Sequence, residues 1–339
     1  MIFIDACYRR KTLRPPIWFM RQAGRYLPEF REIRAKHGFI DVCNTPEVCL
    51  EVTMQPIRRF DMDAAIIFSD ILMPLVPMGF ELTYEKGEGP VIHNPIRTMD
   101  DVARLRMPEF PQDMTQLGRA LQLVRGELDS EKALIGFAGA PFTLACYAIA
   151  GQVGKSMDDI RHFMFAKPDV FEALIEKFTD MIIPYFEHQV KNGADALQLF
   201  DSWGGVLSAF DYQRLMLPLI SRIMRETRHL NVPRIFFVKG GAHLRWFLGT
   251  VGAEVIGLDW TMPIAHSRRL LGDQIAVQGN LDPAVLYAEP GYIRRRTRAM
   301  LEANGDRPGH IANLGHGIHK DTPVSGVEVF VESVLNYRY

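Results

Sequence analysis

The chain has 339 residues, 47% of them hydrophobic and 23% charged, and a net charge of -1. This composition supplies a large core and excludes disorder as the organising principle. Near-neutrality excludes a general nucleic-acid or membrane surface, so any anion recognition has to be local.

The first informative stretch is "IWFMRQAGRYLPEFREIR", Ile17 to Arg34. Pro15, Pro16, Gly24 and Pro28 rule out one long helix here, so "RQAGR" reads as a loop ahead of a helix starting near Pro28. Two arginines on such a loop, Arg21 and Arg25, either clamp carboxylates or phosphates through bidentate hydrogen bonds or bond backbone carbonyls. Gly38 is placed at a helix end, and Thr45 with Pro46 and Glu47 reads as an N-cap with proline at the first helical position.

Short apolar runs bounded by turn residues then recur at 64–68, 133–137, 196–200, 234–238, 254–258, 275–279 and 310–314. They read as strands buried on both faces, as in a parallel sheet. "NGADALQLF" and "VGAEVIGLD" echo each other around Gly193 and Gly252, each with a helix-ending glycine, an alanine, an acid and a strand. Seven strand candidates alternating with helices, and no dinucleotide fingerprint, predict a single-domain (β/α)8 TIM barrel over residues 1–339. The eighth strand is sought between Asp70 and Ala133, although "GFELTYEKGEGPVI" there reads as a hairpin.

Polar residues cluster just past the strands: Asp70, Ala140 with Pro141, Asp201 with Ser202, Lys239, Asp259, Asn280 and His316. In a barrel they ring the C-terminal mouth, where active sites lie, so an enzyme is the leading class. Asp70 reads as a helix cap after Ser69 or as a group of that site. His316 stands between glycines in "NLGHG", where backbone approaches a ligand closely.

Other features take bland readings. "GQVGKS" at 151–156 lacks the first glycine of a P-loop, "RRRTR" at 294–298 is a solvated helix face, and the 16 methionines are packing. Cys7, Cys43, Cys49 and Cys146 lack C-x-x-C spacing and read as buried reduced thiols rather than a disulfide or zinc framework. With no apolar run near the ~20 residues of a span and no signal-peptide core, the expected location is the cytoplasm.

The stretch from Ile17 to Arg34 closely resembles the signature of the uroporphyrinogen decarboxylase family. "FSDIL", "GFAGAPFTLACY", "LQLFDSWGG", "VIGLDW", "VQGNLDP" and "NLGHGI" follow in matching order, from about Pro16 to near the C-terminus. The resemblance implies a (β/α)8 barrel working as a homodimer with no metal and no organic cofactor. It also implies removal of four acetate carboxyl groups of uroporphyrinogen III as carbon dioxide, giving coproporphyrinogen III. Its substrate-binding residues fall on Arg21, Gln22, Ala23, Gly24, Arg25, Asp70, Tyr147, Ser202 and His316, with Asp70 and Arg21 as the catalytic pair. "AIAGQVGKS" departs from the glutamate and glycine run of many members and leaves that loop open.

Two rivals are a zinc-dependent methyltransferase acting on corrinoid or thiol substrates and a non-catalytic tetrapyrrole carrier. The first needs thiolate and histidine ligands, yet "KGGAHL" follows "FFV" without a cysteine, and His316 stands where a cysteine ligand would be. The second would keep the arginines but has no need of Asp70.

Overall fold

The computed structural model describes residues 1–85, 89–152 and 157–339. The expected apolar runs form seven parallel strands: β1 (Ala64–Ile66), β4 (Ala133–Gly139), β5 (Ala196–Asp201), β6 (Arg234–Val238), β7 (Val255–Gly257), β8 (Ala276–Gln278) and β9 (His310–Ile311). They hydrogen-bond in that order, so neighbours in sequence are neighbours in the curled sheet. Between β1 and β4 an antiparallel pair, β2 (Leu82–Glu85) and β3 (Gly89–Ile92), stands apart as the expected hairpin.

Successive strand residues point to opposite faces, and the core divides accordingly. Ala64, Ala133, Ile135, Ala196, Ile235, Phe237, Val255, Ala276 and Ile311 fill the inside, with Trp18 and with Phe3 of the first helix. Their neighbours Ala65, Leu134, Leu197, Leu199, Phe236, Ile256 and Val277 belong to the larger core beneath the helices. Inside the curl, Trp18 Nε1 donates to Gln278 Oε1 at 2.9 Å, and Gln278 Nε2 donates to Gln198 Oε1 at 3.1 Å. These buried amides and the indole therefore satisfy one another.

Among the described residues no eighth strand joins the sheet, and between Asp70 and Ala133 the hairpin supplies the only further strands. The sheet's two edges are instead joined through the chain around Ile17, which makes a single parallel bridge to Ala312. Ala312 N donates to Pro16 O at 2.8 Å, and Asp63 N donates to Ile17 O at 2.9 Å. Pro15 and Pro16 carry no N–H, so a longer ladder is closed to this segment. Asp63 fixes it from the side, accepting Ile17 N at 2.7 Å and both Nη atoms of Arg14 at 2.7 and 2.9 Å.

Pro28 opens the helix Pro28–Lys36, and Pro46 opens Pro46–Phe60 behind Thr45. The helix Pro28–Lys36 ends just before Gly38, as expected, but Gly38 has a second task. It caps the start of Phe39–Asn44, its N–H donating to Asp41 Oδ2 at 3.0 Å, because the chain has already become extended at His37. The echo around Gly193 and Gly252 has shared chemistry, since both glycines take positive φ. The acid that follows each then accepts the backbone N–H of a neighbouring strand: Asp195 from Leu134, Glu254 from Arg234, both at 2.8 Å.

All four cysteines are free and buried. The arginines of "RRRTR" are exposed on the helix Pro290–Glu302, where Arg298 pairs with Glu302 and Arg294 with Glu332. Of "GQVGKS", residues 153–156 lie outside those described. No described helix is long and apolar enough to cross a membrane.

Candidate active site

A cavity of about 1270 Å³ opens at the C-terminal ends of the strands. Arg21, Ala23, Gly24, Arg25, Asp70, Tyr147, Ser202 and His316 all line it. Phe137 and Phe200, whose ring centroids are 5.8 Å apart, give it an apolar floor. A smaller cavity of about 390 Å³ lies near the start of β9, but its arginines are engaged: Arg9 with Gln274, Arg268 with Asn304 and three carbonyls, Arg307 with Asp273.

The arginine loop is held from below. Gln22, expected at the cavity, is turned away from it and is almost fully buried. Its side chain accepts Phe19 N at 3.2 Å and donates to Ala64 O at 3.0 Å, tying the loop to β1. Tyr26 donates its hydroxyl to Gln22 O at 2.7 Å, and Arg31 donates to Arg25 O at 3.0 Å. With its backbone anchored, Arg21 sits at φ 62°, in the left-handed region that costs a non-glycine residue about 1–2 kcal/mol. Strain of this kind persists where the surroundings over-determine it.

Asp70 is not the cap of the helix that follows, whose N-cap is Leu72, but it holds the turn before that helix and faces the cavity. Oδ1 accepts Leu72 N at 2.9 Å, which makes the turn into the short helix Met73–Leu75, while the residue still lines the cavity half-buried. Burial pushes its carboxyl above the usual carboxylate range, against the Leu72 N–H, the Tyr84 hydroxyl and the charge of Arg21. His316 is pushed the other way, to about 3, by burial and then by Arg21, Lys239 and His319. It is therefore a neutral imidazole at ordinary pH. Burial and the nearby Asp70 raise the Tyr147 hydroxyl, which stays protonated.

Charge in the mouth is strongly unequal. Arg21, Arg25, Arg34, Lys36, Lys239 and Lys320 line it, against the carboxylates Asp70 and Asp321. Asp321 already accepts the hydroxyl of Tyr287 at 2.7 Å. Lys239 lies with its Nζ 5.6 Å over the ring of Trp203. A cluster of cations around a half-buried carboxylate suits a ligand with several anionic arms and a central group that donates hydrogen bonds.

Three of the residues expected to ring the mouth serve the scaffold instead. Asp201 is fully buried, accepting Thr143 Oγ1 and the Tyr212 hydroxyl at 2.7 Å each, and Thr143 in turn accepts Trp203 N at 3.2 Å. That chain fixes the loop bearing Ser202, although burial leaves Asp201 with a pKa of about 6. Asp259 accepts Gly241 N at 3.2 Å and Thr261 N at 3.0 Å, and Asn280 donates to Asp259 O at 2.8 Å and Met262 O at 2.7 Å. Conversely, Tyr84, Arg34 and Trp203 line the cavity without having been expected there. Arg34 was legible as the last residue of the first stretch; Tyr84 reaches the mouth only through the hairpin's fold.

Comparison with known proteins places this architecture. The family described as "Uroporphyrinogen decarboxylase (URO-D)" matches residues 2–337. A "Uroporphyrinogen decarboxylase" of Trichlorobacter lovleyi is 45% identical over 98% of this chain and 97% of its own length. One of Geobacter sulfurreducens is 46% identical over the same shares. Among solved structures, a methyltransferase from Methanosarcina mazei superposes with a TM-score of 0.79 at 15% identity, covering 97% of this chain and 96% of its own. A B12-independent methionine synthase from a Shewanella species follows at 0.56 and 10%, covering 96% of each. These two likenesses show a shared fold alone.

Proposed function

From the premise that the chain belongs to the uroporphyrinogen decarboxylase family, we propose how its mouth cavity carries out that family's reaction. The chain is a carboxy-lyase of porphyrin biosynthesis, and its fold is of the TIM-barrel type. In our reading the cavity takes uroporphyrinogen III, and four acetate side chains in turn lose their carboxyl groups as carbon dioxide, leaving the methyl groups of coproporphyrinogen III.

The observation that carries this reading is Asp70, a carboxylate set among the cations of one large cavity. The substrate has carboxylates at its rim and pyrrole N–H donors at its centre, which is the complement of that arrangement. Protonation of a pyrrole carbon beside the acetate-bearing carbon makes the ring a cationic electron sink. The bond to the carboxyl carbon then breaks, its electron pair enters the ring, and a second proton at the methylene carbon completes the methyl group. The first proton returns from the ring, so each cycle consumes one proton and releases one carbon dioxide.

Asp70 accepts the pyrrole N–H groups and stabilises the positive charge that develops on the ring. Arg21, Arg25 and Lys239 bind rim carboxylates, and Arg21 also orients the reacting acetate. Tyr147, Ser202 and neutral His316 serve as hydrogen-bonding groups for acetates and propionates. Ala23 and Gly24 let the loop backbone approach the ligand. Gln22 acts at one remove, by holding the loop on β1.

Two such chains pair as a homodimer, with the mouths shielded from solvent while the reactive macrocycle is held. Sedimentation at micromolar concentration should then give about twice the chain mass of 38.6 kDa. A purely monomeric active enzyme would contradict the pairing. The reaction itself is tested by anaerobic incubation with reduced substrate, followed by counting the carboxyl groups of the oxidised products. Products with seven to four carboxyls are expected; unchanged substrate would leave a carrier in place of an enzyme.

A further inference from the structure

The hairpin β2–β3 stands outside the main sheet, yet it delivers Tyr84 to the cavity. Tyr84 faces Pro90 across the hairpin, and its ring centroid lies 4.5 Å from that of Phe39. Phe39 packs at 5.6 Å on Phe68, two residues before Asp70. The phenol ring is thus fixed from behind by an aromatic stack that is continuous with the Asp70 turn. Its hydroxyl is buried and, among the described residues, makes no hydrogen bond of regular geometry. The acceptor that faces it is the Asp70 carboxylate.

A buried hydroxyl left without a partner is unfavourable, so a small rotation that completes this contact is favoured. We propose that Tyr84 is a positioning residue, donating its hydroxyl to Asp70 and so holding that carboxylate ionised and aimed at the centre of the substrate. The inference rests on the reading of Asp70 given above.

The surroundings single out Tyr84 for this role. Asp70 is faced by Arg21 from the arginine loop, Cys43 from the helix Phe39–Asn44, Tyr147 from Pro141–Ala150 and Tyr185 from Pro168–Lys191. Burial raises Cys43, Tyr147 and Tyr185, so all three stay neutral and Arg21 supplies the charge. Ser69 and the Trp203 indole donate toward the Tyr185 and Tyr147 oxygens, whereas among the described phenols it is Tyr84 that turns its own hydroxyl toward Asp70. Oδ1 is already held by Leu72 N, so a second donor fixes the carboxylate plane.

The test is Tyr84→Phe, with the pH profile of kcat/KM measured beside a carbon-13 NMR titration of Asp70 in the substrate-free protein. The NMR signal is assigned by its absence in Asp70→Asn. Removing a donor to the charged form raises a carboxyl pKa, so both the acid limb and the NMR midpoint should move up by about one unit. Turnover above pH 8 should stay within about three-fold. Unmoved midpoints would overturn the proposal, as would a uniform rise in KM with unmoved midpoints, which marks direct substrate contact instead. Should Tyr84→Phe fold poorly, Tyr84→Leu supplies a second variant without the hydroxyl. If the unsubstituted protein released no carbon dioxide, the reading of the reaction would fail, while the NMR midpoint would still decide the role of Tyr84.

Discussion

A methyl group added at Gly317 would lie 2.6 Å from Cδ of Arg21 and 2.9 Å from its Cγ. The glycine of "NLGHGI" is therefore the surface across which the arginine of "RQAGR" reaches into the cavity. Two motifs nearly three hundred residues apart make one feature. Gly317→Ala should displace the Arg21 side chain and weaken substrate binding at least ten-fold. The thermal midpoint should change little, because the displaced group is flexible and partly solvated. Unaltered affinity, measured by isothermal titration with a porphyrin carrying the same carboxylates, would remove Arg21 from the binding set.

His310 predicts a pH dependence of stability. It is fully buried, donates from Nε2 to Gly279 O at 2.8 Å, and is pushed down to about 4 by burial. In the unfolded chain a histidine titrates near 6.5, so below that pH the unfolded state binds the proton and the folded state does not. Stability is therefore complete above about pH 6.5 and falls as pH drops toward 4. By pH 5 the loss from this residue is about 2 kcal/mol. Asp201 opposes it in part, since its raised pKa means that acid relieves a buried charge. Urea titrations at pH 8 and pH 5 check the sign, and His310→Gln should flatten the slope. An unchanged slope in that variant would place the acid sensitivity elsewhere.

Exhaustive chelation should leave decarboxylation intact. In the account above the substrate's own ring receives the electrons, and among the described residues no group of three His, Cys, Asp or Glu side chains is placed to hold a metal ion. Loss of activity with EDTA and its return with zinc would contradict this and favour thiol-activation chemistry.

The strands were legible because apolar runs bounded by turn residues declare parallel strands buried on both faces. The joining of the sheet's edges was not, since Pro15 and Pro16 mask the strand propensity of Ile17 and Trp18, and the segment is recruited by Asp63 and Ala312, far away in sequence. The same division holds in the site. Arg21, Arg25, Asp70 and His316 sit in short motifs that announce themselves. Tyr84 depends on where a hairpin folds, and Gln22, though inside the motif, is turned toward β1 by hydrogen bonds that no spacing reveals.

In the proposed reaction Asp70 stabilises charge that exists only during decarboxylation, whereas Arg25 holds carboxylates present before it. Asp70→Asn keeps the shape and removes the anion, so single-turnover rates should fall by about 100- to 1000-fold with substrate affinity changed far less. Arg25→Ala should show the reverse, weaker affinity with the rate at saturation largely kept. Single-turnover kinetics and equilibrium binding on both variants test this most directly. Opposite patterns are expected; a near-normal rate for Asp70→Asn would remove Asp70 from the chemistry.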